Sequence, residues 1–339
     1  MEKTMKKNII LVGILIFIFG LAAGSGLAKD RKLAQTGMKF LVVSPDARSS
    51  ALSSALTSVE GASTSLFYNP STMSRMQADY HVSLGQVKWI ADIDYIYATA
   101  AYKLMQGKYG VFGISFLSVD YGDFLGTIRA DNEQGFIDTG IFQPTAFVFG
   151  IGYARALTDK FSVGGQIKYV RQNLTGGIID FDAAEETDSK NFNIGLPAYD
   201  FGLIYKTGFK SLNIGMNIRN FSQEIKFVRE SFQLPLTFKI GFSMNVMDFT
   251  ELKDHSVIVS MDYVHPRDFE EQIALGVEYM LFHSLALRVG YTAPTDEQGV
   301  SLGAGFQKDI FDYNLGIDYA YTDFGVFDNI HRFSFQFSF

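Results

Sequence analysis

The run Leu285-Ala286-Leu287-Arg288-Val289-Gly290-Tyr291 decides how this chain is read. Leu285, Leu287, Val289 and Tyr291 fall on one face of an extended strand, with Ala286, Arg288 and Gly290 on the other. Successive side chains of a strand point to opposite sides, so a period of two marks a strand with one apolar and one small or polar face. The period recurs at Tyr313, Leu315, Ile317, Tyr319 and Tyr321 against Asn314, Asp318 and Ala320. Leu236, Phe238, Ile240, Phe242, Met244 and Val246 oppose Thr237, Lys239, Gly241, Ser243 and Asn245, and Leu212, Ile214, Met216 and Ile218 oppose Asn213, Asn217 and Arg219. Fourteen strand-like runs lie between residues 80 and 339. Two of them, at 93–104 and 109–119, alternate poorly, because Ile96 and Tyr102 fall opposite Tyr95 and Tyr97. There both faces are expected to be covered.

An even number of strands permits antiparallel closure, and the connections sort by length as a membrane barrel requires. Short ones such as Leu157 to Asp159, Thr207 to Lys210 and Asp309 to Phe311 follow even-numbered strands. Long ones, above all Asp120 to Pro144, Thr175 to Leu196 and Phe221 to Phe232, follow odd-numbered strands; only Trp89 to Asp92 breaks the pattern. A soluble β-sandwich alternates by residue too, but has no reason to sort its loops. The expected fold is therefore all-β: a transmembrane antiparallel barrel with both barrel termini in the periplasm.

Phe333, Phe335, Phe337 and Phe339 end the chain with an aromatic at every second position. Four phenylalanines on an exposed soluble edge would invite aggregation, whereas facing lipid they suit the terminal assembly signal that a barrel-assembly machinery reads. Composition agrees: 32 Phe and 17 Tyr stand beside 7 Pro, and apolar residues are spread evenly rather than gathered into a second long segment. Each strand then offers one face to outer-membrane lipid, the first expected partner.

Lys3, Lys6 and Lys7 precede an apolar run from Ile9 to Leu27 that ends in small residues, which marks residues 1–28 as a signal peptide. Cysteine is absent, so neither lipoprotein anchoring nor disulfides serve the exported chain. The formal charge is -7, and about -9 once the leader with its net +2 is set aside, which disfavours nucleic acid as a partner.

Residues 29–78 are expected to form a lumen segment, or hatch, and residues 79–339 the barrel. Between Gly37 and Met76 the chain gathers small residues and closes on Leu66-Phe67-Tyr68-Asn69-Pro70. Ser44 as N-cap with Pro45 at the first position predicts a short helix within Asp46 to Val59. The stretch has neither a membrane helix's apolar run nor a strand's alternation, so it needs a shell to fold in. Asn69 and Pro70 together make a defined corner, since proline forces its predecessor to be extended and Asn69 can bond nearby backbone.

Gly37, Phe40-Leu41, Ala47-Arg48, Ala51-Leu52, Ala55 and Tyr68-Asn69-Pro70-Ser71 resemble the N-terminal signature of the PorV/PorQ family, a branch of the FadL-like outer-membrane barrels. The resemblance implies a barrel of about fourteen strands in a Gram-negative outer membrane, with the N-terminal segment as a hatch. It implies service either to type IX protein secretion, with secreted proteins as partners, or to uptake of hydrophobic small molecules. A third reading is a structural barrel. Ser53-Ser54 stand where the family usually has a glycine pair.

Chemistry is sparse. His81, His255, His265, His283 and His331 show no metal-ligand spacing, and no serine or threonine sits in a nucleophile motif, so neither catalysis nor a cofactor is expected. Asp180, Asp182, Glu185, Glu186 and Asp188 form an acidic loop without the spacing or glycine of an EF-hand. Arg48, Lys168, Arg219, Lys239, Glu278, Arg288 and Asp318 are candidates for the lumen, where charges must pair or meet water. Their expected work is to pin the hatch.

Overall fold

A computed structural model describes residues 36–174, 193–227, 230–250 and 254–339. The expected signal peptide, 1–28, and the acidic stretch 180–188 lie outside these residues. Fourteen antiparallel strands close on themselves: β1 Tyr80–Lys88, β2 Asp94–Lys103, β3 Val111–Asp120, β4 Thr145–Ala156, β5 Phe161–Asn173, β6 Asn193–Lys206 and β7 Asn213–Phe221 form one half. The other half comprises β8 Thr237–Asn245, β9 His255–Pro266, β10 Gln272–Leu281, β11 Leu285–Ala293, β12 Ser301–Ile310, β13 Tyr313–Thr322 and β14 Ile330–Ser338. Each strand pairs with its neighbours in sequence, and β14 returns to β1 with Phe335 opposite Leu84. Closure leaves no unpaired edge, the condition for crossing hydrocarbon by strands.

The outer face carries the apolar set read from the sequence: Leu285, Leu287, Val289, Tyr291, Tyr313, Ile317, Phe333 and Phe335 are all exposed. In β2 and β3 the ambiguity resolves cleanly. Tyr95 and Tyr97 turn inward and are buried, while Ile96, Tyr102, Phe112, Ile114 and Phe116 face out. Both faces are apolar because the inward one meets the hatch: the Phe67 ring stands edge-on to Tyr97 at 5.5 Å between centroids.

Two of the long connections hold structure of their own. Phe124–Arg129 pairs with Phe136–Phe142, and Ile225–Phe227 with Glu230–Phe232, as two-stranded hairpins beyond the wall. Between β6 and β7 the register shifts at Tyr199/Phe201, so that Arg219 and Asn220 oppose Asp200 in a bulge. Asn220 sits there at φ 60, a left-handed conformation that asparagine tolerates.

Residues 36–79 run the length of the lumen. Thr36 bridges Gln233, and Thr36 and Lys39 both bond Asp268; Gln233 and Asp268 belong to connections after β7 and β9, at the long-loop end. At the other end Arg75 donates to the Thr158 carbonyl in a short turn, and β1 begins five residues on. Between them come a 3-10 turn Lys39–Val42, helix α1 Ala47–Ala51, and 3-10 turns Ser63–Phe67 and Pro70–Arg75.

The helix is shorter than its sequence predicts, and its cap differs. Asp46, not Ser44, is the N-cap: its side chain accepts from the Ser49 amide. A carboxylate suits the positive helix end better than a hydroxyl. Ser44 instead bonds Ser49 and Tyr68 through its hydroxyl. The helix stops because Ser53 and Ser54 take φ 49 and φ 61, left-handed conformations that a helix cannot continue through. Side chains there carry a conformational cost, offset by contacts with the wall.

Candidate functional site

Residues 36–79 occupy the lumen, and three sets of side chains fix them there. The first is a ladder of charge. Arg48 on α1 grips Glu278 of β10 through two hydrogen bonds, Nε to Oε2 at 2.8 Å and Nη2 to Oε1 at 2.7 Å. Glu278 also accepts from Arg288 Nε at 2.6 Å, and Arg288 reaches Asp318 on β13. Two guanidiniums thus flank one buried carboxylate, so none of the charges is left bare. Around the wall, Lys168 bonds Asp200 at 2.7 Å and Asn220 at 2.6 Å, closing the bulge. Lys239 donates to the Ser54 carbonyl at 3.1 Å, and Arg219 to the Leu41 carbonyl at 3.4 Å. Arg48, Lys239 and Arg219 bond across the hatch–wall boundary; Lys168 and Arg288 bond wall strands to each other.

Asn69 is the second fixing point and does more than turn a corner. Its Nδ2 donates to the Thr57 carbonyl at 2.7 Å and the Leu203 carbonyl at 3.1 Å, tying two hatch segments to β6. Its Oδ1 accepts from the Ser71 amide and hydroxyl, which caps the turn that Pro70 opens. The amide's donor and acceptor ends are both used, so no residue of different shape fills this place. Tyr68 is buried, its hydroxyl on Ser44, and burial pushes that hydroxyl well above its usual pKa.

Third is a belt of glycines that sequence reading left unremarked. Gly164, Gly215, Gly241, Gly276, Gly290 and Gly303 face inward, and at each a Cβ would run into the hatch: 2.6 Å from the Ser71 amide at Gly164, 2.9 Å from Thr57 Cβ at Gly241, 3.0 Å from Leu52 Cβ at Gly276. Hatch backbone lies directly on wall backbone, as close approach without side chains allows. The signal was present as glycine at alternate, inward positions of several strands.

Asp46, Asp262, Arg332 and Ser334 also escaped sequence reading. Asp262 of β9 accepts from the Thr57 amide and hydroxyl, and Ser334 accepts from the Ala47 amide at 2.9 Å. Arg332 donates to the Ser44 carbonyl at 3.0 Å. Burial raises the Asp46 carboxyl above the ordinary carboxylate range, and the Asp318 charge adds to this, against the pull of the Ser49 amide.

Above the polar belt, the β1–β6 side of the lumen is apolar: Phe40, Leu41 and Val43 pack with Leu117, Val148 and Val170. A cavity of about 20 Å³ remains there beside Phe67, Lys168 and Arg219, room for about one water. Phe333 and Phe335 are exposed on the outer face of β14 with Phe337 half-buried beside them, and Phe339, just past the strand's end, stacks on Tyr80 at 4.5 Å and so joins the two ends of the barrel. Among the described residues no group of His, Asp and Glu is placed to hold a metal ion.

Replacing Arg48 by methionine is expected to loosen the hatch while the barrel stays closed. Glu278 would keep Arg288 alone, and removing one partner of a buried pair costs about 3 kcal/mol or more. Faster amide exchange across residues 44–59, with that of the wall strands unchanged, is the expected readout; equal acceleration in the wall would show that Arg48 supports the barrel itself.

The chain belongs to the family described as type IX secretion system protein PorV, whose model matches residues 27–263. It is an outer-membrane β-barrel, and among solved structures its fold is that of FadL-type barrels. The CymD monoaromatic hydrocarbon channel matches with TM-score 0.58 at 14% identity, over 88% of this chain and 98% of that one. The Ralstonia pickettii toluene transporter TbuX matches at TM-score 0.56 and 12% identity, over 86% and 97%. A Pseudomonas aeruginosa FadL homologue matches at 0.53 and 11%, over 88% and 98%. At such identities the likeness speaks for the fold. No curated protein matches the chain.

Proposed function

We propose that the protein is a PorV-type accessory to protein secretion that engages exported proteins at the cell surface while its hatch keeps the lumen shut. The family match carries this reading. The packing beside Phe67, Lys168 and Arg219 supports it: the cavity there takes about one water, whereas a small-molecule pocket encloses about 300–1,000 Å³. In this reading residues 1–28 are removed on export, 29–78 are the hatch and 79–339 the barrel, which the barrel-assembly machinery inserts. The short turns and both barrel termini face the periplasm, and the long loops face out. The site binds and positions; it performs no catalysis.

Deleting the gene tests the function: exported proteins should then fail to reach the cell surface, while labelled toluene and fatty-acid uptake stay normal. The converse result would favour a conduit for hydrophobic molecules, the reading that the apolar upper lumen supports. Orientation has its own test. A cysteine replacing Glu133 should react with an impermeant maleimide on intact cells, and one replacing Gly208 should not. A cysteine at Val42, 48% exposed on the hatch, should follow Glu133, because Thr36 and Lys39 sit at the long-loop end. Labelling at Gly208 alone would invert the assignment.

A further inference from the structure

The connection between β3 and β4 carries a surface that the plugged lumen does not use. Its hairpin, Phe124–Arg129 with Phe136–Phe142, stands off the barrel ladder, and among the described residues neither outer edge pairs with another strand. Leu125 and Ile141 face each other across the hairpin and are 67% and 68% exposed. Phe124, Phe136 and Ile137 are exposed beside them. Unpaired edges and a bare apolar cross-strand pair are what sheets normally hide, because they template further pairing.

The charge around this surface sets the chemistry of what covers it. The connection itself, 121–144, holds four carboxylates, Asp123, Asp131, Glu133 and Asp138, against the single cation Arg129. Anionic glycolipid would meet Asp131, Glu133 and Asp138 with like charge, which disfavours a lipid cover. A cationic chain meets them favourably and is steered toward them.

We infer that the hairpin's open edge is a docking strand for exported polypeptide, taking an extended segment whose apolar residues alternate with lysine or arginine. Backbone bonds to the edge supply affinity, Leu125 and Ile141 receive the apolar side chains, and the carboxylates select for positive charge. The inference rests on the secretion reading and on the long loops facing out.

The test uses the purified full-length protein in detergent micelles and two fluorescent peptides, one alternating Val and Lys, the other Val and Glu. The Lys peptide should bind at least about tenfold more tightly, and less so as salt rises. The double variant Leu125→Asp, Ile141→Asp should lose that binding while keeping the parent's shift between boiled and unboiled gel mobility, which shows an intact barrel. Asp131→Lys with Glu133→Lys should abolish the preference between peptides. Equal binding of both peptides, or binding indifferent to the Leu125 and Ile141 changes, overturns the inference. So does insertion of the hairpin into anionic glycolipid vesicles, read from a fluorophore on a cysteine at Glu133. In cells the Leu125, Ile141 variant should export poorly; normal export with lost peptide binding sinks the docking strand alone, whereas normal export without the gene sinks the secretion reading itself.

Discussion

Deletion of Thr36 to Ser65 is expected to leave a barrel that inserts and conducts. Strand pairing is complete without the hatch: every wall strand bonds two neighbours, and β14 closes on β1. What the deletion removes is most of the filling, namely the Lys39–Val42 turn, α1, the first part of the Ser63–Phe67 turn and the residues that pack on Gly215, Gly241, Gly276, Gly290 and Gly303; Leu66 to Arg75 stay. Glu278, Asp262 and Lys239 lose hatch partners but gain water, since an emptied fourteen-strand lumen floods, and hydrated charges cost little there. In planar bilayers the full-length protein should show only leak, and the deletion the steady conductance of a water-filled pore. Equal conductance from both would mean that the hatch does not seal the barrel. Failure to insert would mean that the hatch is needed for assembly.

How far the sequence went is clearest from particular residues. All fourteen strands were legible, because a wall between lipid and a polar interior forces an alternation that survives in the side chains, as from Leu285 to Tyr291. The facing of β2 was illegible for a definite reason: Tyr95 and Tyr97 are apolar-facing on the inside because Phe67 waits there, and that contact spans thirty residues of chain. Within the hatch, small residues without period gave no local instruction. Ser53 and Ser54 end the helix in left-handed conformations imposed by contact with β11, and no propensity predicts that of serine. The wall cations Lys239 and Arg219 stand out in the sequence as odd charges on inward faces. Their hatch-side acceptors, the carbonyls of Ser54 and Leu41, are backbone atoms that no sequence marks. The same holds for the glycine belt, whose meaning appears only when the hatch lies against it.

That belt gives the second large effect. Gly290→Val should unseat the hatch although valine is a better strand residue than glycine. A Cβ at Gly290 would stand 2.5 Å from the Leu52 carbonyl carbon and 2.7 Å from Ser53 Oγ, with the Ser53 amide nearer still. These are backbone neighbours held by α1 and by the Lys239 bond to Ser54, so no rotamer change relieves the clash. Either β11 bows outward, against its full ladder with β10, or the stretch Leu52 to Ala55 lifts off the wall. The second is easier, because the hatch is held by a few side chains and the strand by a ladder of backbone bonds. Gly316→Val is the matched control: its Cβ would meet Gln336 Cβ at 3.6 Å, ordinary contact, on the same inward face. The Gly290 variant should therefore conduct in bilayers and exchange its amides rapidly from residue 44 to 59, while the Gly316 variant matches the parent. If the Gly290 variant stays sealed and protected, the hatch backbone does not lie on the wall, and the belt has lost its reason.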